Sequence, residues 1–173
     1  YAPVLKLLSI SASLKHGMRE ELIERGVRAL EADLPIIVTE EWLAYDIYHA
    51  YVSRHGYVAM QVVSAWEIAR PRVHHYAVEG VGTAKQTYTR LQPTGGVLLV
   101  KYVDALSPND QPILIQLVEK NKLAMLGIHV PKGTKIILHA SDLGRVHEAL
   151  LNKVIYVGEE RLPIADVVRR RVV

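Results

Sequence analysis

The segment VLLVKYV, residues 97–103, decides the fold prediction, because it is a short apolar run that follows directly on Gly95 and Gly96. A run of this length and composition is typical of a buried strand. Two further apolar runs, residues 135–139 and 153–157, alternate with predicted helices. The alternation of strand and helix predicts a small sheet covered by helices, with some parallel pairing.

The helices of this C-terminal half are recognised by their ends. Asp110 and Pro112 open an amphipathic helix that Gly127 ends, since Pro is favoured in the first turn of a helix and Gly just past the last one. Ser141 or Asp142 caps a second, shorter helix that reaches about residue 151.

The N-terminal half is predicted to be mainly helical. Residues 18–32 place apolar side chains at helical spacing, with acidic residues ahead of basic ones, as the helix dipole favours. Thr39 is predicted to cap a helix that Gly56 ends. Residues 57–69 fit a helix and a strand, and helix is preferred because a strand of that length is unusual. Residues 72–93 are interpreted as a weaker helix plus a loop.

Together these segments predict the fold class α+β (or α/β), with a helical N-terminal half followed by a small mixed sheet with covering helices. Residues 1–93 form the mainly helical region with a basic middle. Residues 97–173 form the small α/β region with a basic C-terminal tail. Thr94, Gly95 and Gly96 are interpreted as a hinge between the two, because adjacent glycines mark loops.

Positive charge is concentrated in the middle of the chain and in its tail. The formal net charge is +3, but between Asp46 and Asp104 six Lys or Arg residues stand against two acidic residues, Glu67 and Glu79. Arg suits phosphate because its planar fork binds two oxygens and keeps its charge. The residues predicted to contact nucleic acid are Arg54, Arg70, Arg72, His74, His75, Lys85, Arg90, Arg169, Arg170 and Arg171.

The predicted helix that ends at Gly56 carries an aromatic stripe at every third or fourth position. Aromatic side chains stack on bases in single-strand binders and are also enriched at contacts between subunits. Because Glu40, Glu41 and Asp46 beside the stripe repel phosphate, subunit contact is preferred. The residues predicted to form oligomer contacts are Trp42, Tyr45, Tyr48 and Tyr51.

Two local patterns resemble functional motifs without matching them. The segment GVGTAKQT, residues 80–87, lacks the GxxxxGK[ST] spacing of a phosphate loop. His139, Asp142, His147 and Glu148 lie close in sequence, but their spacing is not that of HExxH, and capping or surface roles are preferred. We therefore predict no catalytic residue, no metal site, no cofactor and no small-molecule substrate, and expect that the protein is not an enzyme.

Composition limits the cellular setting. The chain contains no Cys, which excludes disulfides and thiolate metal sites. Its apolar runs are far shorter than the roughly 20 residues that cross a bilayer, so a soluble protein of a virion or the cytoplasm is expected. Scarce Asn and absent Cys favour a thermophilic source. Tyr1 as first residue predicts proteolytic processing or a start within a longer product.

The predicted function is that of a non-enzymatic, self-assembling structural protein of a hyperthermophile. It would be a capsid, nucleocapsid or other nucleoprotein component, as in an archaeal virus, that contacts nucleic acid through a basic surface and independently of sequence. Two alternatives stay open. One is an intracellular nucleic-acid-binding regulatory protein with a helix-turn-helix across residues 39–69. The other is a matrix-like virion protein whose basic residues face an anionic membrane surface.

Overall fold

A five-stranded parallel sheet forms the centre of the computed structural model, which describes residues 2–70, 72–77, 84–89, 93–119 and 130–158. In chain order the elements are α1 (Ala2–Glu31), β1 (Ile36–Val38), α2 (Glu41–His55), β2 (Met60–Ser64), α3 (Ala65–Ala69), β3 (Arg72–Ala77), β4 (Ala84–Thr89), β5 (Val97–Lys101), α4 (Pro112–Glu119), β6 (Lys135–His139), α5 (Glu148–Leu151) and β7 (Ile155–Val157). Single 3-10 turns lie at Val103–Ala105 and Leu143–Arg145.

The strand order in the sheet is β2-β5-β6-β1-β7, and every neighbouring pair is parallel. The first strand therefore lies between the last two, with Ile37 opposite both Leu138 and Tyr156. This architecture confirms the predicted class of helices packed on a sheet. The sheet is parallel throughout and not mixed, however, and two of its strands, β1 and β2, come from the N-terminal half. β3 and β4 pair with each other as a separate antiparallel hairpin.

Both faces of the sheet are buried, which explains why its strands are continuous apolar runs. Ile36 and Val38 of β1 lie in one core cluster with the apolar sides of α1 and α2, whereas Ile37 lies in a second cluster with α3, α4 and α5. Neighbouring residues of β5 and β6 divide in the same way. Each large side chain that is fully buried here contributes about 1.5–3 kcal/mol relative to exposure.

The chain reverses its direction of travel across the sheet. From β1 it crosses to the far edge at β2 through α2, and then returns through β5 and β6 to β7 with the later helices on the other face. Right-handed crossovers in opposite directions require helices on opposite faces. The chain therefore leaves the carboxyl ends of β1 and β6 towards opposite faces, and this divergence is the topological switch point of a doubly wound sheet.

Three sequence predictions were accurate at the level of single elements. The helix before Gly56 ends at His55, with Gly56 at φ 91°. Strand 135–139 is β6 with the same bounds. α1 contains the predicted helix 18–32 except its last residue, but it begins at Ala2.

Other predictions were wrong. Residues 57–69 hold a strand followed by a short helix, because β2 pairs with β5 along its whole length before Ser64 starts α3. Two helices separated by a strand do not form the helix-turn-helix considered for residues 39–69. Residues 72–93 contain the β3–β4 hairpin and no helix within the described residues, since Val, Tyr and Thr are strand formers. Glu40, not Thr39, is the N-cap of α2.

The segments 1–93 and 97–173 meet in the sheet on both sides of Thr94–Gly96. Gly96 has φ 66°, and a Cβ placed there would lie 2.4 Å from the backbone oxygen of Ala59. The amide of Lys135 donates to the carbonyl of Gly96 at 2.8 Å, and the amide of Val97 donates to that of Ala59 at 3.1 Å. Gly96 therefore permits a close approach of three chain segments at the amino ends of β2, β5 and β6.

Candidate nucleic-acid interface

The β3–β4 hairpin is a two-stranded ribbon without an acidic residue in either strand. Its antiparallel register places Arg72 opposite Thr89, His74 opposite Thr87 and Tyr76 opposite Lys85. Opposite residues and alternate residues of such a pair share a face, so these six positions belong to one face of the ribbon. Three of them are basic types. His75, opposite Gln86, has a position on the other face.

Arg54, the first of the residues predicted to contact nucleic acid, is held by two carboxylates of α1. Its guanidinium lies 2.8 Å from Glu24 Oε2 and 2.8 Å from Glu31 Oε1. The hydrogen bond from Arg54 lowers the pKa of Glu24, although burial of that carboxyl acts in the opposite direction. His55 Nε2 lies 3.4 Å from the second oxygen of Glu31. The charge of Arg54 is thus compensated within the chain.

Arg70 and Lys101 also have carboxylate partners. Arg70 Nη2 lies 3.2 Å from Asp110 Oδ2, and its guanidinium carbon lies 4.5 Å from the centre of the Trp66 ring. Lys101 forms an ion pair with Glu41, and its ammonium lies 5.0 Å from the centre of the Tyr102 ring. These pairs link elements that are distant in sequence, which composition alone could not indicate.

The remaining predicted phosphate contacts divide into two groups. Arg72, His74, His75 and Lys85 are brought together by the ribbon. Arg90, Arg169, Arg170 and Arg171 lie outside the described residues.

The aromatic residues of α2 pack mainly against the chain itself. Tyr48 is 8% exposed, and its hydroxyl donates to the carbonyl of Val58 at 2.6 Å. Trp42, Tyr45 and Tyr51 are half-buried against the same core cluster. The guanidinium carbon of Arg19 lies 4.6 Å from the centre of the Trp42 ring. Only the exposed parts of the Trp42, Tyr45 and Tyr51 rings are available to a partner subunit.

The switch point of the sheet has an acidic turn where nucleotide-binding folds have a phosphate loop. In those folds a glycine-rich turn after the first strand and the amino end of the next helix hold the phosphates. Here Glu40 and Glu41 occupy the start of α2. The hydrogen bond from Lys101 lowers the pKa of Glu41, with burial opposing it, so the carboxylate is the favoured form. A phosphate group at this turn would meet like charge.

A buried histidine lies beside this turn. His139 is 4% exposed, lies opposite Val38 in the register and has an Nδ1 atom without a hydrogen-bond partner among the described residues. The ring of Tyr102 approaches it edge-on, with centres 6.1 Å apart. Tyr102 itself has φ 65°, a left-handed conformation that ends β5 and is uncommon for a non-glycine residue.

Two other members of the His139 group, Asp142 and His147, act as local caps. Asp142 Oδ1 accepts from the amide of Gly144 at 2.9 Å, and His147 Nδ1 accepts from the amide of Ala149 at 3.1 Å. Within the described part of the chain, no three His, Cys, Asp or Glu side chains are placed to hold a metal ion.

Sequence reasoning missed a cavity of about 500 Å³ at the carboxyl end of the sheet. Trp66 lines it from α3 and Arg70 from the C-cap of that helix. Ser107 and Asp110 line it from the loop before α4, and Arg145 from the 3-10 turn after β6. These residues are up to 79 positions apart in the chain, so no local spacing could have indicated the cavity.

None of the helices in the described part of the chain combines the length and the apolar character that a membrane crossing requires. Comparison with protein-family models and with curated protein sequences finds no match.

Proposed function

We propose that this chain is a non-enzymatic, self-associating structural protein that contacts nucleic acid through the β3–β4 ribbon, as in a virion or another nucleoprotein. The observation that supports it best is the register of the ribbon. Arg72, His74 and Lys85 have positions on one face, and neither strand carries an acid. The main contact with phosphate is therefore assigned to the ribbon and not to Arg54 and Arg70, because those two residues have carboxylate partners.

The dimensions of a two-stranded ribbon suit a duplex. Six residues per strand extend over roughly 20 Å at about 3.4 Å per residue. The major groove of B-DNA is about 12 Å wide and admits such a ribbon. Arg and Lys contacts to phosphate carry no sequence information, so the binding is independent of sequence and sensitive to salt.

The acidic switch point argues against one class of enzyme, the nucleotide hydrolases. A nucleotide-hydrolysing protein of this architecture requires a loop that holds phosphates after β1. Glu40 and Glu41 stand there instead, and Lys101 is engaged by Glu41.

Two exposed apolar features support self-association. Trp42, Tyr45 and Tyr51 leave part of their rings exposed along α2. β2 is an edge strand of the five-stranded sheet, and its Val62 is 44% exposed. An apolar edge strand is a site at which another chain can pair.

The test compares two double variants with the same change of charge. Arg72→Gln with Lys85→Gln removes two ribbon charges, and Arg54→Gln with Lys101→Gln removes two charges that have carboxylate partners. Affinity for random duplex DNA is measured over a series of salt concentrations. The ribbon variant should lower the log-log slope by about 1.8, or about 0.9 per lost phosphate contact. The control variant should keep the slope within about 0.5 of the unmodified protein.

Three outcomes would contradict the proposal. One is the same loss of slope in both variants, and another is a ribbon variant that binds DNA like the unmodified protein. The third is binding to vesicles of anionic lipid, with the same dependence on Arg72 and Lys85, by a protein that does not bind DNA. A protein that stays monomeric in light scattering at every concentration would contradict the self-associating part.

A further inference from the structure

The cavity near Trp66 is formed by the chain segments that follow β2, β5 and β6, which are α3 with Arg70, the loop before α4 and the 3-10 turn after β6. It lies at the carboxyl edge of the sheet, the edge at which doubly wound sheets bind their ligands, although beside and not at the switch point between β1 and β6. Its volume, about 500 Å³, falls within the usual range for sites that bind small molecules. None of its described lining residues belongs to the ribbon on which the proposed function rests.

A buried glutamine connects two walls of the cavity. Gln111 is fully buried, and its Nε2 donates to the carbonyls of Leu106 at 3.1 Å and Arg145 at 2.8 Å. Its Oε1 accepts from the amide of His147. The loop after β5 and the turn after β6 are therefore fixed to each other, so the backbone that carries Arg145 is held in place before any ligand arrives.

The carboxylates that line the cavity are already engaged. Asp104 Oδ2 accepts from the amide of Asp142 at 3.1 Å. Asp110 Oδ2 accepts from Arg70 at 3.2 Å and from the Ser107 hydroxyl at 3.1 Å.

The two arginines, by contrast, keep donors available. Arg70 has one described hydrogen bond from its five N–H groups, and its side chain is 61% exposed. The guanidinium of Arg145 is exposed and has no partner among the described residues. The cavity can therefore offer donors to an anion although its formal charges balance.

An aromatic wall completes the site. Trp66 lines the cavity, is 41% exposed and has the guanidinium carbon of Arg70 at 4.5 Å from its ring centre. Flat rings stack on indole, and arginine guanidinium groups stack on flat rings as well.

We propose that the Trp66–Arg70–Arg145 cavity binds a small anion that carries a flat ring. Arg145 binds the charged group through its unused fork, Arg70 supports it from the opposite wall, and Trp66 with the Arg70 guanidinium contacts the ring. Nucleoside monophosphates and aromatic carboxylates share this chemistry.

Tryptophan fluorescence tests this directly, because the chain has only two tryptophans. In a Trp42→Phe background the remaining signal comes from Trp66. The probes are adenosine monophosphate, benzoate and inorganic phosphate. We expect saturable quenching by at least one of the two ring-bearing anions below about 1 mM. Binding of adenosine monophosphate would identify the ligand as a nucleotide, and binding of benzoate alone would identify it as an aromatic carboxylate.

Variants locate the binding within the cavity. Arg145→Gln should weaken binding at least about tenfold, the effect of losing about 1.4 kcal/mol. Arg28→Gln on α1, an arginine that is paired with Glu24 far from the cavity in sequence, should leave the affinity within about twofold. Arg72→Gln with Lys85→Gln should also leave it unchanged, so that failure of the ribbon proposal and failure of this one remain distinguishable.

Several results would overturn the proposal. The first is the absence of saturable quenching, and the second is an unchanged affinity in the Arg145→Gln protein. The third is inorganic phosphate that binds as tightly as the ring-bearing anion that binds best. Quenching that persists unchanged in a Trp66→Phe protein, through Trp42 alone, would also overturn it.

Discussion

Replacement of Gln111 by Leu should destabilise the fold more than any surface substitution. Gln111 is fully buried and makes three hydrogen bonds, to the carbonyls of Leu106 and Arg145 and from the amide of His147. Each such bond contributes about 1 kcal/mol net, and a partner left unpaired in a buried place costs about 1–3 kcal/mol. Since Leu has a similar volume but no polar atom, the expected loss of unfolding free energy is about 3–5 kcal/mol.

The measurement is urea unfolding followed by circular dichroism. The midpoint should fall while the dependence of the unfolding free energy on urea stays constant, because the surface exposed on unfolding is unchanged. Gln116→Leu is the matched control, since Gln116 lies in α4 and is only half-buried. Its effect should stay below about 1 kcal/mol. A loss below about 1 kcal/mol for Gln111→Leu would refute the reasoning that this side chain connects the loops after β5 and β6.

Two further predictions concern Gly96 and Glu41. Gly96→Ala should lower the free energy of unfolding in urea by about 2–4 kcal/mol, because Gly96 has φ 66° and the new Cβ would meet the Ala59 oxygen. Gly133→Ala is the control and should lower it less, because Gly133 has φ 84° but open space at its Cβ position. The pKa of Glu41 is lowered below 4.5 by Lys101, so its stabilising contribution is complete above that pH and disappears as the pH falls through the folded pKa. The unmodified protein should therefore have a higher free energy of unfolding than the Glu41→Gln protein, and this difference should shrink as the pH falls below 4.5. A difference that grows below pH 4.5 would contradict the ion pair between Glu41 and Lys101.

The alternation of strand and helix after residue 96 was predictable because each apolar run there is short and isolated by turn residues. β6 was predicted with its bounds because the Pro131–Gly133 turn precedes it and Ser141 or Asp142 follows it as a helix cap. The end of α2 was predictable from Gly56, which has a positive φ that few other residues adopt. These signals are local, so they survive without knowledge of the tertiary structure.

The same local view failed at residues 57–69. That window contains β2 and α3 joined at Ser64, with no glycine or proline between them to mark the boundary. The spacing of its apolar residues is therefore a mixture of the strand and helix patterns. The length of the whole window favoured a helix, which was wrong for residues 60–64. Pairing with β5, which is more than 30 residues away, is what makes Met60–Ser64 a strand.

The candidate sites depend even more on long-range contacts. The basic character of Arg54 was visible in the sequence, but its pairing with Glu24 and Glu31 arises only when α1 packs on α2. The ribbon residues were predicted individually, whereas their shared face follows from the register of β3 and β4. Trp66 and Arg145 were not selected at all, since α3, the loop before α4 and the turn after β6 must meet before these residues line one cavity.

The position of β1 in the sheet has a consequence for biosynthesis. Its two strand neighbours, β6 and β7, begin about a hundred residues later, as the pairing of Ile37 with Leu138 and Tyr156 shows. At a translation rate of about 5–20 residues per second, Ile36–Val38 emerges from the ribosome roughly 5–20 s before either neighbour exists. During that interval three consecutive apolar residues have no native strand partner, so the centre of the sheet cannot form until β6 has been made, and β1 stays open to non-native contacts until then.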